Sequence, residues 1–186
     1  MIDIEKMFKE IGVIKEGHFL LHSGLHSGIY FEKFRLIEHP EYAIPLFELL
    51  ASQFEGEPID TVAGPTTGGS IIAFEVARVL RKRCIIAEKV EGGRDFLRGF
   101  GLKPDENILV VDDVLTTGAS VKDVISAIKR YNANPYAVGV LIDRSNEIPD
   151  FGIPLYSVYR KRVENFNPED CPLCKLGVPL TKPGGV

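Results

Sequence analysis

Between residues 59 and 142, short apolar runs alternate with helical stripes, and this alternation leaves few folds open to the chain. Residues 59–63, 84–87, 108–111 and 137–142 are runs of β character, and 155–159 adds one more. Residues 71–80 read as a helix, and Val121, Val124, Ile125 and Ile128 repeat at helical spacing. Strand, helix, strand, helix, strand predicts an α/β protein, a mostly parallel twisted sheet flanked by helices. The runs are continuous rather than alternating, as strands covered on both faces require.

The two ends fall outside this repeat. Ile4, Met7, Phe8 and Ile11 have the spacing of one helix face, and Pro40 precedes a second helix through Leu46, Leu49, Leu50 and Phe54. Residues 1–40 predict a small N-terminal hood, and the Pro- and Gly-rich residues 164–186 an irregular tail. No repeat or linker interrupts the chain, and 186 residues suit a single domain. The 22 Lys+Arg against 26 Asp+Glu leave a net charge of −4, which argues against nucleic acid or an anionic membrane as partner. No apolar run reaches the ~18 residues of a membrane span. The first residues, MIDIEKMFKEIG, lack the apolar stretch of a secretory signal. Three cysteines, Cys84, Cys171 and Cys174, are too few for a disulfide scaffold, so a cytoplasmic location is expected.

Open α/β sheets bind ligands at the carboxyl ends of their strands. Four of those ends carry unusual sequence: Gly64 through Thr66, Thr67, Gly68 and Gly69 to Ser70; Glu88 and Lys89 to Arg94; Asp112 to Ser120; and Asp143-Arg144. The third constrains the chemistry most. Two acids, Asp112 and Asp113, are followed by Val114, Leu115, Thr116, Thr117, Gly118, Ala119 and Ser120, which lead into an amphipathic helix. The N–H groups and dipole of a helix start favour an anion, and the hydroxyls of Thr116, Thr117 and Ser120 add donors. The acids suit ribose hydroxyls or the water shell of a divalent cation. A sugar phosphate satisfies both halves. The plain alternative is a helix capped by Ser120 beside two solvated acids. Residues 64–70 have P-loop spacing but Ser70 in place of its Lys, and Gly99 to Pro104 lacks the last Gly of a dinucleotide fingerprint.

Residues 89–107 show no strong helix or strand pattern and hold Lys89, Arg94, Arg98 and four glycines, so a functional loop is expected there. Cys171 and Cys174 cannot complete a four-ligand zinc site alone; zinc would need Cys84, a histidine or a second subunit. Pro172 argues against a redox helix, so a structural turn is the first reading, with a disulfide or a shared metal as the others.

The string VVDDVLTTGAS resembles the phosphoribosyl-pyrophosphate signature of type I phosphoribosyltransferases. The segment from Phe19 through His22-Ser23-Gly24 and His26-Ser27-Gly28 to Tyr30-Phe31 resembles the start of orotate phosphoribosyltransferases. AEKVEGG, LRGF and the ending CPLC, VPL, KPG are similar to a branch of that family found in thermophilic bacteria. The resemblance runs from about residue 12 to the C-terminus.

It implies a type I phosphoribosyltransferase-like fold and a reaction of orotate with phosphoribosyl pyrophosphate (PRPP), in pyrimidine biosynthesis, with Mg2+ accompanying the pyrophosphate. By position, Asp112 and Asp113 would hold the ribose hydroxyls, Thr116 to Ser120 the 5′-phosphate, with Val114 and Leu115 in the same PRPP-binding run, and Thr66, Thr67, Gly68 and Gly69 the pyrophosphate. Lys89, Arg94 and Arg98 would belong to a mobile loop, 89–107, that reaches the neighbouring site of a homodimer, with Lys89 catalytic beside the two acids. His26, Tyr30, Phe31, Thr116 and Arg144 would meet orotate. Many members have Lys where this chain has Gly68 and His26. Rival readings are a purine or uracil phosphoribosyltransferase, which has less use for Arg144, and an RNA-binding regulator of the same fold, which the acidic balance opposes.

Overall fold

The computed structural model describes residues 3–21 and 23–183. His22 and Gly184, part of the motifs above, lie outside them. The elements in chain order are α1 (Ile4–Glu10), β1 (Ile14–Leu20), β2 (His26–Phe31), α2 (Phe34–Glu38), α3 (Pro40–Ser52), β3 (Thr61–Pro65), α4 (Gly68–Leu80), β4 (Arg83–Val90), β5 (Gly93–Phe96), β6 (Asn107–Leu115), α5 (Ala119–Arg130), β7 (Asn134–Asp143), β8 (Leu155–Arg160), β9 (Asn165–Phe166) and α6 (Pro172–Lys175). They divide into two compact units, one drawn from Met1–Pro40 and Arg162–Val186, the other Glu41–Lys161.

The larger unit is the predicted α/β layer. Its six-stranded sheet has the order β5-β4-β3-β6-β7-β8. β4, β3, β6, β7 and β8 run parallel, and β5 is an antiparallel edge. The stripe on α5 buries Val121, Val124, Ile125 and Ile128 against Ala63, Ile85, Val110 and Val140 on one face of the sheet. Leu50 and Phe54 approach Gly139 on the other face. Each such apolar side chain contributes about 1.5–3 kcal/mol on burial.

The smaller unit is built from both chain ends. The first 40 residues form more than a helix: β1 and β2 pair antiparallel, and β9 joins the open side of β2. The tail is therefore not wholly irregular. Besides β9 it holds α6, with Pro172 in the first turn, where its missing N–H has no intrahelical partner in any case. Leu20 N–H donates to Thr181 O at 2.9 Å and Thr181 N–H to His18 O at 2.8 Å, which fixes the tail to β1. Met7 and Phe8 of α1 are buried, as the spacing predicts.

Residues 89–107 also differ from expectation. β4 continues to Val90 and turns through Glu91-Gly92 into β5, so the first part is a hairpin. Residues 97–106 hold turns only, and Phe100 and Leu102 pack against the core.

Ile128 is fully buried beneath the sheet. Ile128→Ala is expected to lower stability by about 2–5 kcal/mol, read as a shift in the urea midpoint with the slope unchanged.

Candidate active site

The four unusual segments meet. β4, β3, β6 and β7 are consecutive parallel neighbours, so their carboxyl ends share one edge of the sheet. Two backbone bonds link the ends: Thr66 N–H donates to Ala87 O at 3.1 Å, and Arg144 N–H to Leu115 O at 3.0 Å.

β6 is longer than the apolar run indicates. Asp112 pairs with Val140, Val114 with Ile142 and Leu115 with Asp143, so both acids lie inside the strand instead of after it. They are 7% and 6% exposed, against the alternative of solvated acids. Asp113 N–H donates to Asp112 Oδ1 at 2.9 Å, and Val114 N–H to Asp113 Oδ1 at 2.6 Å. These bonds orient the carboxylates.

The turn that follows is an anion cradle. Asp112 and residues 114–121 line one cleft. Gly118, not Ser120, caps α5, with a left-handed φ of 78°, and the Ala119 N–H donates to Thr117 Oγ1 at 3.4 Å. A Cβ there would also lie 2.8 Å from Phe151 Cζ. Thr116 and Thr117 are exposed, α5 has no acid in its first turn, and Lys129 and Arg130 occupy its last. Nothing at the helix start opposes a phosphate.

The turn after β3 presses directly on the acid pair. A Cβ on Gly68 would sit 1.7 Å from Asp113 Oδ2, and one on Gly69 2.9 Å from Asp112 Oδ1. A side chain at Gly68 requires the Asp113 carboxylate to shift. Ser70 Oγ donates to Thr67 O at 2.6 Å, and the Thr66-Thr67 peptide is cis.

The cations are arranged unequally. Lys89 and Arg94 stand opposite each other across β4 and β5, a like-charge pair that costs stability until an anion lies between them. Arg94 reaches back to the β3 turn, donating to Thr66 Oγ1 at 3.1 Å, Thr66 O at 3.2 Å and Ala87 O at 3.0 Å. Arg98 instead grips Glu88 in a fork at 2.6 and 3.0 Å, which holds its guanidinium still more firmly protonated. Arg144, at the end of β7, is 8% exposed. Its neighbour Asp143 accepts from Ser145 N–H and Oγ at 2.9 and 2.6 Å.

The remaining orotate candidates lie on β2 of the smaller unit. Tyr30 is half-buried and Phe31 buried. His26 is 5% exposed, and its Nδ1 lies 2.9 Å from His18 Nε2 and 3.3 Å from Cys174 Sγ. His18 has no counterpart among the sequence-derived candidates. Its signal is a second histidine eight residues from His26, one on each strand of a hairpin.

Adjacent strand ends carrying buried acids beside a Thr- and Gly-containing helix start define an α/β protein with the groups to receive a phosphorylated sugar. Comparison with known proteins sharpens that class. The phosphoribosyl transferase domain family matches residues 37–158. An orotate phosphoribosyltransferase of Thermotoga maritima is 45% identical over 181 residues, 97% of each chain. One from Thermoanaerobacter sp. is 44% identical over 98% of this chain and 96% of its own. The crystal structure of orotate phosphoribosyltransferase from Aeropyrum pernix superposes with a TM-score of 0.72 at 27% identity, covering 84% of this chain and 93% of that one. The chain belongs to the phosphoribosyltransferase family, and within it to the orotate phosphoribosyltransferases.

Gly68→Ala is expected to displace Asp113 and weaken ribose 5-phosphate binding by about tenfold, or ~1.4 kcal/mol, with the far-ultraviolet circular dichroism unchanged. Equal affinity would show that the close approach to Asp113 is unimportant.

Proposed function

We propose that the protein transfers ribose 5-phosphate from PRPP to orotate, giving orotidine 5′-monophosphate and pyrophosphate. The observation that carries this reading is the edge where Asp112, Asp113 and the turn at 116–120 stand beside the glycine turn after β3 and the Lys89–Arg94 pair. Family membership supports it independently.

The geometry supports a role for each group. The N–H groups and hydroxyls of residues 116–120 hold the 5′-phosphate. The Asp112 and Asp113 carboxylates accept from the ribose hydroxyls, held in place by the backbone N–H groups that each receives. Thr67, Gly68 and Gly69 offer backbone donors to the pyrophosphate, with Arg94 already braced against Thr66. Lys89 supplies the second cation opposite Arg94. In the reaction the C1–pyrophosphate bond breaks and C1 bonds to the base nitrogen, through an oxocarbenium-like state that needs no covalent nucleophile. The protein contributes position and fixed charge. Arg144, with a planar fork at the end of β7, suits the carboxylate of orotate, and Thr116 lies on the neighbouring strand end.

The hard oxygen donors of Asp112 and Asp113 fit the water shell of a magnesium ion held mainly by the substrate phosphates. Such an ion neutralises charge on the leaving pyrophosphate. Three free thiols agree with a reducing cytoplasm, and no helix among the described residues is long and apolar enough to cross a membrane. The reading includes a homodimer with the 89–107 loop reaching the neighbouring site; similarity to the family supports this part.

The test is the loss of orotate absorbance with PRPP and magnesium, run beside uracil, adenine and hypoxanthine. Orotate alone is expected to be consumed. Turnover of another base would contradict the role of Arg144. Asp113→Asn is expected to lower kcat by about a hundredfold with the fold intact. Lys89→Ala should lower kcat by a similar order while KM for PRPP changes little, because its contact strengthens as charge develops on pyrophosphate. A raised KM with kcat unchanged would make Lys89 a ground-state binding group only.

A further inference from the structure

One cluster stands apart from the phosphate edge, and the chemistry above makes no use of it. His18 on β1, His26 on β2, and Cys171 and Cys174 at α6 bring one ligand atom each to within 4.8 Å of one another. Three of the separations are close to those of a tetrahedral coordination shell, and the two histidine nitrogens are nearer to each other. His18 Nε2 lies 2.9 Å from His26 Nδ1, 3.5 Å from Cys171 Sγ and 3.7 Å from Cys174 Sγ, and Cys174 Sγ lies 3.3 Å from His26 Nδ1. A tetrahedral zinc with Zn–N near 2.0–2.1 Å and Zn–S near 2.3 Å sets its ligand atoms roughly 3.3–3.8 Å apart.

The protonation pattern agrees. His18 Nδ1 lies 2.7 Å from Val178 O. A carbonyl only accepts, so Nδ1 carries the proton and the lone pair sits on Nε2, the atom facing the cluster. This is the outer contact by which proteins fix a metal-ligating histidine. One lone pair accepts one proton well, yet three polar atoms crowd around it. A metal at the centre gives all four a single partner. Two thiolates cancel the charge of a divalent ion, so the group can sit among buried residues; His18, His26 and Cys171 are all buried. The mixed sulfur and nitrogen set selects zinc over magnesium.

The position gives the ion a task. The smaller unit has a short core drawn from both chain ends, and the tail is held by a two-residue strand and one isolated bridge at Thr181. Small cores of this kind need a staple. Cys171 lies 153 residues from His18 in the chain, so a shared ion would join the terminal segment to the hairpin.

We propose that His18, His26, Cys171 and Cys174 bind a structural zinc ion that fastens the C-terminal segment to the N-terminal hairpin. All four positions are filled by protein, which leaves no open site for chemistry. Binding releases the two thiol protons and involves no change of redox state. Cys84 takes no part: it lies on β4 in the other unit. His26 then serves the metal through Nδ1.

The test uses the full chain without a polyhistidine tag, grown with zinc and analysed by plasma mass spectrometry. About one zinc per chain is expected, retained by Cys84→Ser and lost from the Cys171→Ser/Cys174→Ser double variant. To keep the test independent of that variant's folding, cobalt is also exchanged into the wild-type protein, where thiolate-to-cobalt charge transfer and intense tetrahedral bands are expected. A wild-type protein that holds no zinc and gives no such bands overturns the proposal. So does a Cys171–Cys174 disulfide in freshly prepared protein, read by alkylation and mass. Orotate turnover on the same preparation separates this proposal from the catalytic reading: turnover without zinc removes the metal site alone, and zinc without turnover leaves the site standing.

Discussion

The catalytic edge depends on one close approach. The turn between β3 and α4 lies so near the end of β6 that a single carbon on Gly68 would overlap the Asp113 carboxylate. Bare backbone at Gly68 and Gly69 therefore meets two buried acids, with no side chain between the turn and the end of β6. That contact sets the spacing of the other parts. β3 is central in the sheet, flanked by β4 on one side and β6 on the other. Fixing its turn against β6 also places the Arg94 brace, which runs from β5 back to Thr66.

The same edge separates attraction from repulsion by position. Asp112 and Asp113 sit between two anion cradles, and each is oriented by a backbone N–H. Carboxylates beside phosphate are unfavourable unless hydroxyls or a cation lie between. A ribose carrying phosphate at one end and pyrophosphate at the other supplies those hydroxyls. In the proposed reading the cations on β4 and β5 lie on the leaving-group side, where charge increases as the bond to C1 breaks.

Much of this was legible in the sequence because a buried parallel sheet leaves a strong pattern. The stripe Val121, Val124, Ile125 and Ile128 and the runs of β3, β4, β6 and β7 gave the layer order, and the strand ends gave the site. The rest was not legible for physical reasons. β6 extends through Asp112 and Asp113 because pairing with β7 holds them in the ladder, which apolar periodicity does not register. The β4–β5 hairpin is short and polar, with alternation too brief to stand out. Packing of Phe100 and Leu102 on the core shows no local period. The His18 cluster joins residues from opposite chain ends, and only tertiary structure brings Cys171 and Cys174 to a histidine pair.

The central claim is that PRPP spans both turns of one sheet edge. Amide hydrogen exchange on the whole protein, with and without PRPP and magnesium, reads that directly. The account predicts slower exchange in both 66–70 and 116–120 on binding, with inorganic pyrophosphate protecting the first turn and ribose 5-phosphate the second. Protection of only one turn by PRPP, or of neither, would contradict it.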